Sequence, residues 1–185
     1  MKSLRAKIAQ QTLKLLKLRK WKSISIDNIC KNLKISKKEI SKNIKSKNDL
    51  LKNINQYFDD CMMVEIKSLE KSSSRDRLFE IFMLRFDLLT NYRISVLKIF
   101  TIFKKNPNKF IILLPSFITS IEKIAKASNI KTANIIGRMK IKALLIIYFA
   151  TFLTWAKDNN SSLDKTMITL DNYIQRAENI IKFFK

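Results

Sequence analysis

The chain has 185 residues, enough to bury a core, and suits one domain or a small domain fused to a larger one. Its 37 Lys and Arg against 15 Asp and Glu give a formal charge of +22, yet 46% of the residues are hydrophobic, which argues for a folded protein. One Gly, two Pro and no His leave little for hairpin turns and exclude the Walker loop, the dinucleotide fingerprint, imidazole catalysis and His-bearing zinc sites. The expectation is an all-α protein that is not an enzyme, with no catalytic residue, metal or cofactor.

Cys30 and Cys61 are far apart in helical patterns, the setting of buried free thiols in a reducing compartment. The N-terminus lacks the uninterrupted apolar core of a secretory signal. The longest uncharged run, residues 143–156, has 14 residues, short of the roughly 18 to 20 that span a bilayer. A cytoplasmic location follows. The charge implies a polyanionic partner, nucleic acid or an anionic membrane surface. Lys, Ile and Asn are all abundant, however, as AT-rich codons alone would produce, so the position of the charge matters more than its total. Residues 1–60 hold 16 Lys and Arg against 5 Asp and Glu, and residues 31–47 hold seven Lys and only Glu39.

Apolar residues at Leu4, Ile8, Ala9, Leu13 and Leu16 predict a helix over 4–18 with one buried face. Three helix starts then follow, each opened by a serine able to cap free N–H groups: Ser25, Ser36 and Ser46. Ser36-x-x-Glu39 has the spacing of a capping box, and Ser46-x-x-Asp49 is a close relative. The short connection 33–36 forces the second and third helices to cross steeply, which is a helix-turn-helix reading. Ile26, Ile29, Ile35, Ile40 and Ile44 supply its core, while Lys37, Lys38, Ser41, Lys42 and Lys45 stay outside. Beyond it, helices are expected over 47–69, 75–90, 94–104, 108–128, 131–157 and 162–184, with a polar break at 71–74 and Pro107, Pro115 and residues 158–160 as punctuation.

The serines and their followers, 25–30, then 35–37 and 46–51, resemble the DNA-binding domain of the TetR family of bacterial transcriptional regulators in order and spacing, over about residues 4–58. That resemblance implies a helix-turn-helix domain at 1–57, a helical dimerisation and effector domain at 58–185, and a sequence-specific, ligand-responsive repressor. Its partner would be double-stranded DNA, with the helix over 37–43 in the major groove and Ser25, Lys37, Lys38, Ser41, Lys42, Lys45 and Lys47 making the contacts. Lys34 stands where the family usually has Gly, Ser41 where it has an aromatic, and Ile44 where it has Phe.

The last two helices are apolar over more than one face, and by the same resemblance they would pair with a second chain in a two-fold four-helix bundle. Phe82, Phe86, Phe100, Phe103, Phe117, Tyr148, Phe149, Phe152 and Trp155 either fill the core or line a pocket for a small apolar effector. Residues 180–184, apolar with flanking lysines, offer a membrane-surface contact. Trp155, the 158–162 break and residues 166–171 also resemble the last helices of the TetR-fold ubiquinone-biosynthesis accessory family, which implies lipid binding without DNA reading as the alternative function.

Overall fold

A computed structural model describes residues 3–70 and 72–183, with side chains up to Ile180 at the C-terminal end. Among the described residues there are nine α-helices and no strand: α1 Leu4–Leu18, α2 Ile26–Leu33, α3 Lys37–Ser41, α4 Lys47–Glu65, α5 Ser74–Thr90, α6 Arg93–Lys105, α7 Pro107–Ala127, α8 Ile135–Trp155 and α9 Asp164–Phe183. The near absence of Gly and Pro leaves few breakers, so helices end at caps. The chain divides into two compact units, Met1–Cys61 with Leu88–Ser116, and Met62–Asp87 with Phe117–Lys185.

In the first unit, α1 buries Ile8, Ala9, Leu13 and Leu16, and α6 lies against it. The Ser95 hydroxyl donates to the Leu13 carbonyl at 2.7 Å, and Lys98 Nζ to the Lys17 carbonyl at 2.9 Å. Ile29, Ile40 and Ile44 are buried with Leu50 and Leu51 of α4, whereas Ile26 and Ile35 are half-buried. Pro107 opens α7 as its first residue, where its missing N–H costs nothing.

Pro115 does not punctuate the chain as expected, because α7 runs through it. Both Pro115 and Ile111, whose carbonyl the proline leaves unbonded within the helix, are exposed, so water can satisfy that oxygen. The helix expected over 47–69 becomes α4 ending at Glu65, followed by a 3₁₀ turn, Ile66–Ser68.

In the second unit the aromatic rings cluster. Tyr148 stacks on Phe82 and Phe86 at centroid distances of 6.0 and 5.6 Å, and Phe86 stacks on Trp155 at 6.5 Å. Phe82, Phe86, Tyr148 and Trp155 are buried. Phe100 and Phe103, read with this group from the sequence, belong to the first unit instead, where Phe103 meets Phe110 edge-on at 5.8 Å.

α7 ends in a left-handed Asn129 with φ 59°, and the Ile130 N–H returns to the Ala125 carbonyl at 2.9 Å. That turn and the Asn134 cap, which accepts from Gly137 N–H at 2.7 Å, start α8 at 135 rather than 131. Gly137 is required for space: a Cβ there would lie 2.3–2.4 Å from Thr132 backbone atoms. Asp158, buried between α8 and α9, accepts from the Thr166 N–H and hydroxyl, both at 2.9 Å, and thereby caps α9.

No helix among the described residues is long and apolar enough to cross a membrane. Of the membrane-surface segment 180–184, Ile180 is exposed, and the remaining side chains lie outside the described residues.

Candidate nucleic-acid interface

The three serine caps form as read. Ser25 accepts from Asn28 N–H at 3.1 Å, Ser36 from Glu39 N–H at 3.2 Å and Ser46 from Asp49 N–H at 3.3 Å. Two of them close reciprocally, because Glu39 Oε2 accepts from Ser36 N–H at 2.8 Å and Asp49 Oδ2 from Ser46 N–H at 2.8 Å. Such capping sets where α3 begins and which of its sides faces outward.

α2 ends on Lys34 in the left-handed region, φ 54° and ψ 43°. The Ile35 N–H returns to the Cys30 carbonyl at 3.1 Å and the Lys34 N–H to the Lys31 carbonyl at 3.3 Å, a Schellman turn. This is the tight connection of a helix-turn-helix. α3 stops at Ser41 rather than 43, since the Asn43 N–H bonds back to Ile40 at 3.0 Å and tightens the last turn. Arg5 of α1 holds that end through Nε to Asn43 Oδ1 at 2.8 Å.

The candidate residues have different local partners. Ser25, Lys37, Lys38, Ser41, Lys42 and Lys45 are exposed. Lys37 is paired with Asp27 at 2.8 Å, and that bond and its charge raise the Lys37 pKa above the ordinary lysine value. The Ser41 hydroxyl donates to the Lys38 carbonyl of its own helix at 3.0 Å. Lys42 lies in the field of Glu39. Lys38 and Lys45 have no carboxylate partner within bonding distance among the described residues. Glu39, the acid of α3, has its carboxylate turned back onto the Ser36 N–H and hydroxyl, which hold its pKa below the ordinary value.

Lys47 is turned inward. Its Nζ donates to the Trp21 carbonyl at 2.5 Å and the Lys22 carbonyl at 3.2 Å, and lies 4.7 Å from the centre of the Trp21 ring. Burial, helped by the charge of Lys109, lowers its pKa from the ordinary lysine value. Lys47 therefore braces the 3₁₀ turn Trp21–Ser23 against the start of α4. Sequence reasoning missed Arg5 and Trp21 as the groups that hold the end of α3 and Lys47 in place, because both contacts span long stretches of sequence. Cys30 is buried and Cys61 half-buried, both free thiols. No metal-ligating cluster occurs among the described residues.

No family model and no curated protein matches the sequence. Among solved structures, the chain is similar to the TetR transcriptional regulator from Nitrosomonas europaea, with a TM-score of 0.74 at 18% identity over 96% of this chain and 99% of that one. The chain has the TetR fold. Salmonella enterica GusR is a second similar structure, with a TM-score of 0.54 at 20% identity over 92% of each chain. The TetR-fold likeness therefore takes in the C-terminal helices as well as the helix-turn-helix.

Proposed function

We propose that this TetR-fold chain is a DNA-binding transcriptional regulator in which residues 1–57 read the duplex and residues 58–185 dimerise and receive an effector. The observation that carries the reading is the capped α2–α3 helix-turn-helix, whose outer side presents lysines while its acid, Glu39, is held against the helix start. α3 enters the major groove. Lys38 and Lys42 face base edges or phosphates there, with Ser41 beside them, and Lys45 and Ser25 meet the flanking backbone. Lys37 contributes less because Asp27 already compensates it, and Lys47 acts by positioning the turn.

A homodimer is supported by α8. Ile135, Met139, Ile146 and Leu153 recur at helical spacing along it and are 77%, 65%, 70% and 51% exposed. Pairing of α8 and α9 with the same helices of a second copy would cover this stripe and set two reading heads on a palindromic operator. An apolar effector that binds one head spacing better than the other would release the operator by population shift, the logic of a ligand-responsive repressor.

The test is binding of the purified chain to DNA from upstream of its own gene against scrambled DNA of equal length, at physiological salt. Preference for the native fragment supports the regulator. No binding to either duplex, together with isoprenoid or acyl lipid extracted from the purified protein, would replace it with the lipid-accessory reading.

A further inference from the structure

α4 and the first half of α7 run side by side within the first unit. Lys109 Nζ donates to Asn48 Oδ1 at 3.4 Å, and Asn55 Nδ2 donates to the Ser116 carbonyl and hydroxyl at 3.2 and 2.9 Å. Each pair is separated by 61 residues, and the two pairs lie seven residues apart on each helix. A constant offset means parallel helices in register, so the first turns of α4 and α7 lie at the same end of the unit.

Positive charge collects at that end. Lys45 and Lys47 lead into α4, and Lys104, Lys105 and Lys109 flank the start of α7. Carboxylates do not offset it. No Asp or Glu occurs over residues 88–121, and Asp49 of α4 is engaged by the N–H groups of Lys45 and Ser46 and by Lys52 at 3.5 Å. Lys109 has a neutral amide at 3.4 Å as its hydrogen-bond partner, and its charge helps hold the Lys47 pKa below the ordinary value. A second cation kept beside a partly buried one is unfavourable alone and favourable once an anion sits between them.

We infer that Lys109, with exposed Lys105 four residues before it, is a second phosphate-contacting element for duplex DNA, supplied by the end of α6 and the first turn of α7, outside the helix-turn-helix segment. The inference rests on the regulator reading and extends its footprint. DNA is favoured over an anionic lipid surface because Lys109 bonds to Asn48 at the start of α4, contiguous in sequence with Lys45 and the helix-turn-helix.

The test measures affinity for a fluorescent mixed-sequence duplex against salt for the unsubstituted full chain, Lys109→Ala, Lys109→Gln and Lys109→Arg, with binding to phosphatidylglycerol vesicles in parallel. Lys109→Ala and Lys109→Gln should each lower the log–log salt slope by about one per copy of the residue in contact, and weaken binding about fivefold per lost contact at roughly 0.15 M salt. Lys109→Arg should keep both. The inference is overturned by duplex binding that is unchanged in a folded Ala or Gln variant, or by a loss confined to vesicles. Failure of the unsubstituted chain to bind duplex overturns the regulator reading as well.

Discussion

Lys34→Gly is expected to stabilise the protein. Lys34 holds φ 54° and ψ 43° while the two bonds of the Schellman turn close around it, so the conformation is set by the turn and not by the side chain, which is exposed. A left-handed residue bearing a Cβ costs about 1–2 kcal/mol, and Gly removes that cost while losing about 0.4–1 kcal/mol through its freer unfolded chain. The net gain is about 0.5–1 kcal/mol, which for a chain of this size raises Tm by about 1–4 °C. Thermal unfolding followed by circular dichroism measures it, with Lys34→Ala as the control. Alanine removes the charge but keeps the Cβ, so it should show no gain. A Gly variant no more stable than the natural chain, or an Ala variant stabilised as much as Gly, would refute the backbone argument.

Gly137→Ala should destabilise by about 1–3 kcal/mol in a urea titration, since the new Cβ meets Thr132 backbone at 2.3–2.4 Å and cannot be accommodated without moving the α7–α8 connection. Ile146→Asp should turn the proposed dimer into a monomer in sedimentation velocity without lowering the helicity of the chain, because this position is 70% exposed in a single copy. Burial pushes the Asp158 carboxyl up, but the N–H and hydroxyl of Thr166 and the N–H of Asn160 outweigh it and hold the pKa below the ordinary 3.8. The stabilisation from Asp158 is thus fully present above that value and is lost as pH falls through the lower folded one, so acid unfolding of Asp158→Asn should show a shallower pH dependence there. Lys47→Ala should cost about 1 kcal/mol of stability through the bonds to Trp21 and Lys22, and weaken binding to every duplex alike; a loss confined to one sequence would contradict its assignment as a brace.

What was legible in the sequence was whatever is settled within about one helical turn. Ser25, Ser36 and Ser46 could be placed as caps because the acceptor oxygen and the N–H it serves are three residues apart, and all three bonds are present. Lys34 stands where the TetR resemblance puts a glycine, and its left-handed φ agrees with that position. Pro115 defeated the same local logic, since whether a proline ends a helix depends on whether the carbonyl it orphans faces water or protein. The lysines of the candidate interface split along this line. Lys38 and Lys45 are exposed, as expected, without a bonded carboxylate partner among the described residues, whereas the state of Lys37 and Lys47 is decided by groups 10 and 26 residues away, Asp27 and Trp21. A lysine count cannot separate a cation aimed at a phosphate from one that braces a turn, because the two differ only in what tertiary structure brings to the ammonium. The acid-free run over 88–121 shows the same limit. It is plain in the sequence, but it acquires a role only when the fixed offset between α4 and α7 carries Lys109 to Asn48, at the edge of the helix-turn-helix.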